Sequence, residues 1–550
     1  MIMTLLREYE GFPMNAFSDK LYDFSCRFIQ CCSVILGFLL FAGAFLRTCY
    51  SEDMGTQLVL TKWDNPFFGI LGIAFFLLLI GGMIHFLFRH SGSPVRLLRI
   101  LALFWCIALG GILIVFGRTV PAADAMSVYS IAESLAAGDT SVIHPTASYL
   151  SYYPQQVGLT AFFEMLIRIW RLLPFSIPAY HFIKCIYVGL LCVIICLQEQ
   201  IVHLLWKNER TDCLYLLLIS ADLPFIMYSS FVYGEIPSFA AASAGLYCLL
   251  KLLALCRDKE TSGSLPKKKQ LLYIAGVTAG FTVSVMLRKN NLILLIAALI
   301  VIFLEWFKNR QHKLLVLGLL CAVCGLSILP LVQKEYELRA GNELSSGVTA
   351  ASYLAMGMQE SSRANGWYNG FNFNTYQDAG LDSELADEVS RQAILDRLQT
   401  FREQPGYAAG FYLNKHLSQW ADGTYASRQA TLATFGGRHS FFVSLYEGSL
   451  SKYYIGYCNI YQNVLYLGAL ICFILSAKKG AKKESAPALF LYSGFIAVLG
   501  GFLFHTLWEA NSRYIFLYSL LLLPYTAQGI CASTQRLSAF ISGWRRRKTT

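Results

Sequence analysis

The sequence predicts an all-α polytopic membrane protein, and three observations carry that prediction. Of its 550 residues, 55% are hydrophobic and only 14% are charged, whereas a soluble domain carries about a quarter charged residues. The mean hydropathy is +0.48, and apolar runs of about 18 residues or more, long enough to cross a bilayer as a helix, recur along the chain. Lysines and arginines gather in alternate breaks between those runs, as they do in cytoplasmic loops.

Taken in order, the candidate spans are 28–48, 67–88, 98–117, 180–205, 213–231, 236–256, 270–287, 291–307, 314–332, 456–476, 486–507 and 513–532, about twelve in all. The first run, Ile29–Leu46, lies too far along the chain for a cleaved signal and reads as an anchor. The basic clusters are Arg89, Arg96 and Arg99; Lys207 and Arg210; Arg257, Lys259 and Lys267–Lys269; Lys308, Arg310 and Lys313; Lys478, Lys479, Lys482 and Lys483; and Arg545–Lys548. With both termini cytoplasmic, every cluster falls on the cytoplasmic side. The net charge of +11 is therefore a topology signal. No compact basic patch with interleaved aromatics accompanies it, which excludes nucleic acid as the expected partner.

That parity requires Val157–Leu173 not to span. Glu164, Arg168 and Arg171 follow one another at i, i+4 and i+7, a polar stripe on an apolar helix, and such a helix lies along an interface. The chain then divides into a membrane bundle, 1–332, whose external loop 118–179 bears this juxtamembrane helix; a mainly helical external domain, 333–455; and C-terminal membrane helices with a basic cytoplasmic tail, 456–550. In the external domain a helix is expected over Ser383–Arg402, acidic early and basic late as the helix dipole prefers. A second follows Pro405. The 16 cysteines fall almost wholly in apolar spans and none lies between Gln333 and Tyr454. They read as small apolar fillers without a disulfide framework.

Polar residues concentrate at the external ends of the spans. Asp124 opens a helical stretch just beyond the third span and shares a face with Val128 and Ala132. It is either a cavity carboxylate or a capping acid. In Tyr149–Gln156 (YLSYYPQQ), Tyr153, Gln155 and Gln156 suit sugar hydroxyls, although an aromatic belt would also supply tyrosines. Glu235, in the tight turn FVYGEIPS, is a second cavity acid or a turn residue. Arg288 and Lys289, in LRKNN, break the charge rule and either clamp an anionic head group or snorkel. Glu509 and Arg513, in LWEANSRY, either pair with each other at i, i+4 or leave Arg513 free for the same anion. Phosphate-binding glycine loops and metalloprotease or hydrolase motifs are absent, and no ligand cluster calls for a metal, although a divalent ion stays open.

The ordered set PAADAMSVY, SYYPQQVGLTAFFE, YSSFVYGEIPSF, LRKNNLI and LWEANSRYIFLY resembles membrane glycosyltransferases of the GT-C superfamily, in particular the dolichyl-phosphate-mannose–protein mannosyltransferase-like branch. The resemblance runs from about Arg118 to Tyr525. It implies a helical bundle that takes a sugar from a polyprenyl-phosphate carrier and passes it to a glycan, lipid or protein acceptor of the cell envelope, at the outer face of a bacterial plasma membrane. It also implies that Asp124 is the catalytic aspartate of the first long loop. Glu235 stands where an aspartate is more usual. Two spans precede those the family begins with, and the acceptor-recognition domain of protein mannosyltransferases has no counterpart. The alternatives are a transporter of lipid-linked glycans and a glycan polymerase or ligase, which would also use external loops.

Overall fold

The computed structural model describes residues 14–51, 56–146, 148–174, 176–257, 267–432, 439–481 and 489–549. Lys259, Lys482 and Lys483 of the basic clusters lie outside the described residues. The chain is a polytopic α-helical membrane protein. Among the described residues ten helices are long and apolar enough to cross a membrane, or eleven if one bent pair counts as a span.

The helices are α1 (Met14–Leu46), α2 (Pro66–His90), α3 (Pro94–Gly117), α4 (Asp124–Ala136), α5 (Val157–Arg171), α6 (Ala179–Trp206), α7 (Glu209–Ala221), α8 (Glu235–Arg257), α9 (Lys267–Leu287), α10 (Leu292–Asn309) and α11 (His312–Ala340). After them come α12 (Ala350–Gly357), α13 (Phe371–Asp378), α14 (Ser383–Glu403), α15 (Pro405–Trp420), α16 (Ser427–Leu432), α17 (Ser440–Tyr446), α18 (Ser451–Ala481), α19 (Ser493–Leu507) and α20 (Ser512–Thr549). A hairpin of β1 (Arg47–Ser51) and β2 (Val59–Trp63) pairs antiparallel between α1 and α2, with Cys49 opposite Thr61.

The membrane helices sort by burial. In α2 only Ile73, Ile80 and Leu87 are buried, one residue every two turns, so α2 touches the bundle along a single narrow seam. In α3 the buried positions Leu98, Ala102, Cys106, Gly110, Leu113 and Gly117 form one continuous stripe. In α20, by contrast, 89% of the apolar window is buried, and this helix is the central post. The cysteines are free thiols among the described residues.

Two expected spans take a different form. The run 213–231 is broken into α7 and a shorter helix, Leu223–Ser230, bent by 60°. Asp222 accepts from the Phe225 N–H at 3.1 Å and Pro224 sits in the first turn, so the side-chain cap starts a new helix in mid-run. Of the run 486–507, residues 486–488 lie outside the described residues, and the rest is a 3-10 turn, Leu489–Tyr492, followed by α19 of only 15 residues. The helix expected at Ser383–Arg402 runs to Glu403 behind an Asp382 cap. The boundary expected at 333 falls inside α11, which continues to Ala340.

In the polar stripe of α5 Glu164 is buried while Arg168 and Arg171 stay exposed. Glu164 is 5% exposed and accepts from Arg168 Nε at 2.9 Å, Tyr336 Oη at 2.5 Å and both Arg339 Nη atoms at 3.2 and 2.8 Å. Arg168 and Arg171 also donate to the Leu135 and Glu133 carbonyls at 3.3 and 3.4 Å. Two cations thus meet the negative end of α4, which fixes the helix that begins at Asp124.

Candidate active site

Four turns converge at one end of the bundle: the residues before α4, the Phe231–Gly234 turn before α8, the link from α9 to α10, and the link from α19 to α20. Each is a place where an apolar helix stops, so each can carry polar side chains without placing them in hydrocarbon.

Glu235, the first residue of α8, is 1% exposed. Arg288 Nη1 lies 2.7 Å from its Oε1 and Arg513 Nε lies 3.7 Å from the same oxygen. Neither Glu235 oxygen has a hydrogen bond of good geometry among the described residues, so the cluster is held by charge. Both cations also lean on aromatic rings: Arg288 lies 5.7 Å and Arg513 5.4 Å from Tyr514, and Arg513 lies 5.6 Å from Tyr233. Gly234 permits this approach, because a Cβ there would stand 2.7 Å from the Leu287 carbonyl oxygen. Arg288 also lines a small cavity with Asn290, Asn291, His505, Tyr514 and Tyr518. Arg513 therefore pairs with Glu235, the partner the i, i+4 spacing did not suggest. Lys289 is exposed.

Asp124 is exposed at the first position of α4, while Val128 and Ala132 on its face are buried. The residue before it, Ala123, has φ 47° and ψ −131°, a conformation costly for any residue with a Cβ. The backbone upstream is pinned by Lys184, which is fully buried and donates to Thr119 Oγ1 at 2.7 Å. Asp124 stands within electrostatic reach of Tyr149, Tyr153, Tyr233, Tyr368 and Glu509.

Glu509 is 8% exposed. Burial raises its carboxyl to about 7; Arg513 and a hydrogen bond from Tyr514 act against the rise, and Asp124 adds to it. An exposed carboxylate, Asp124, and a buried one, Glu509, thus stand within electrostatic reach of each other. Gln156 Nε2 donates to Tyr233 Oη at 2.6 Å and Gln155 Nε2 to Tyr353 Oη at 3.4 Å. Tyr153 packs on Tyr149 with ring centroids 4.9 Å apart, and burial pushes its phenol up, with Tyr368, Asp124 and Glu509 adding to the effect.

The structure thus joins Glu235, Arg288 and Arg513 in one cluster, ties Gln156 to Tyr233 beside it, and brings Asp124 within electrostatic reach of Tyr153, Glu509 and Arg513. It leaves Lys289 at the rim. Sequence reasoning missed Tyr233, Tyr353, Tyr514 and Lys415. Tyr233 had a signal in its place two residues before Glu235. Tyr353 and Lys415 sit in ordinary helical patterns that mark nothing. Among the described residues no group of three or more His, Cys, Asp or Glu is arranged to hold a metal ion.

No protein-family model matches the chain, and no curated protein matches it. Among solved structures it is similar to the Archaeoglobus fulgidus oligosaccharyltransferase in the apo form, with 14% identity and a TM-score of 0.45 over 82% of this chain and 52% of that one. It is also similar to the archaeal oligosaccharyltransferase AglB from Archaeoglobus fulgidus in complex with an inhibitory peptide and a dolichol-phosphate, with 15% identity and a TM-score of 0.42 over 81% of this chain and 51% of that one. The chain spans about half the length of these solved structures.

Proposed function

We propose that this chain is a GT-C glycosyltransferase of the hexosyl type. It moves a sugar from a polyprenyl-phosphate carrier to a hydroxyl of a cell-envelope glycan, lipid or protein. The reaction takes place at the outer face of a bacterial plasma membrane, and both termini are cytoplasmic. The single observation that supports this reading is an exposed carboxylate, Asp124, within electrostatic reach of Arg513 in an Arg288–Glu235–Arg513 cluster. Two arginines against one glutamate leave that cluster one positive charge in excess, which suits a sugar phosphodiester of one negative charge.

The chemistry follows from these roles. Asp124 takes the proton of the acceptor hydroxyl as its oxygen bonds to the anomeric carbon. The bond from that carbon to the phosphate oxygen breaks through an oxocarbenium-like state. Arg288 and Arg513 receive the charge that builds on the departing lipid phosphate. Glu235 holds the two arginines side by side and is a positioning residue, while Tyr153, Gln155, Gln156 and Glu509 face the sugar. The test is transfer of radiolabelled sugar from a short-chain polyprenyl-phosphate donor in proteoliposomes. Wild-type protein transfers the label, and a folded protein that moves the lipid across the bilayer without transfer is a transporter and overturns the assignment.

A further inference from the structure

Lys415, in α15, is fully buried, and none of the roles above uses it. Its ammonium donates to the carbonyl oxygens of Gly357, of Thr506 at 3.0 Å and of Trp508 at 2.8 Å. An ammonium has three N–H donors, and here they meet three backbone acceptors from separate parts of the chain. Gly357 closes α12, Thr506 lies in the last turn of α19, and Trp508 immediately precedes Glu509.

The surroundings hold the same turn from other sides. The Ala510 N–H donates to the Gly366 carbonyl at 2.8 Å, and Trp508 stacks on Tyr353 with centroids 5.2 Å apart. Gly366 has φ +72°, and a Cβ there would stand 2.6 Å from Lys415 Cε, so the chain wraps directly over the lysine stem. An unpaired buried charge is costly, and a lysine placed here without a ligating role is worse than a leucine. Burial lowers the ammonium to about 7, with the Glu509 carboxylate acting against it.

We infer that Lys415 is a positioning residue that sets the Trp508–Glu509 turn and couples the 350–420 segment to the site. The inference rests on the transferase reading for its kinetic consequence alone. Lys415 makes no hydrogen bond to Arg288, Glu235 or Arg513, so losing it should act on the sugar-facing carboxylate more than on the phosphate grip. Misplacing a reacting group by about 1 Å costs on the order of 100-fold in rate.

The experiment compares wild type with Lys415→Met in detergent and in proteoliposomes. The expected result is a fall in kcat of at least about tenfold, with the donor KM unchanged within about twofold, and faster amide exchange confined to the peptides covering Gly357 and Thr506–Asn511. Unchanged kcat per folded molecule, or faster exchange spread over the whole bundle, overturns the inference. If wild type transfers no sugar, the transferase reading fails on its own, and the exchange pattern still decides: local loss of protection supports the anchor and its absence overturns it. Should Lys415→Met not fold, Gly366→Ala, which keeps the ammonium but crowds both its stem and the Gly357 carbonyl it grips, is read by the same two measurements.

Discussion

Two sites in this protein share one composition and differ in every other respect. At α5, Glu164 lies between Arg168 and Arg339 with Tyr336 above it, and good hydrogen bonds reach both carboxylate oxygens. At the start of α8, Glu235 lies between Arg288 and Arg513 with Tyr514 against both cations, yet among the described residues neither of its oxygens has a well-aligned hydrogen bond. A satisfied buried network rigidifies the fold, whereas a partly satisfied one keeps free donors in a low-dielectric setting. The first is a clamp between α5 and α11. The second, on the reading proposed above, keeps donor capacity for an anion. The difference teaches that the same residue types form a closed network in one place and an open one in another.

The largest effect that sharpens this comparison is Asp124→Asn. It keeps the shape and cannot accept a proton at neutral pH, so transfer should fall by about 100-fold or more while the melting temperature stays unchanged. Wild-type turnover in the variant would make Asp124 a loop acid and place the base elsewhere.

Arginine deletion should give different signatures at the two sites. Arg339→Ala removes two of the bonds to Glu164 and should cost about 1–3 kcal/mol of stability with the donor KM intact. Arg288→Ala should also cost stability, because it strands the buried Glu235, but it alone should raise the donor KM, by about tenfold, the value of one lost charge-assisted bond. Equal signatures would erase the distinction.

The smallest effect is a pH dependence. The folded Glu509 carboxyl is raised to about 7 from 4.5, mainly by burial, so the native state holds a proton that the unfolded chain releases. Its contribution to stability is full below about 4.5 and is lost as pH rises through about 7. Against Glu509→Gln, the wild-type melting temperature should therefore decline between those values; a parallel pair of curves would contradict the shift.

How much of this was legible in the sequence depends on range. Most of the apolar runs and the helix expected at 383–402 are local patterns, and they formed close to where they were expected. Asp222, Leu223 and Pro224 carried a cap-and-proline start signal inside an apolar run, and the run breaks there. Asp124, Arg288 and Arg513 stood out because polar groups at the ends of spans are constrained. The partners did not: Glu235 meets residues from two other links, and no spacing rule connects them. Lys415 looks like a surface lysine on an amphipathic helix, and only the packing of α12 and the α19–α20 turn buries it. The polar stripe of α5 was visible, but its partners Tyr336 and Arg339 sit at the far end of a long helix whose apolar run stops earlier.

The central claim, that the Glu235 cluster binds a lipid phosphate and the Glu164 cluster does not, is tested most directly by equilibrium binding. A fluorescent short-chain polyprenyl phosphate would be titrated into wild type, Arg288→Ala and Arg339→Ala in detergent micelles. The expected result is saturable wild-type binding, about tenfold weaker in Arg288→Ala and unchanged in Arg339→Ala. Equal affinity in Arg288→Ala and wild type, or equal weakening in both variants, would contradict it.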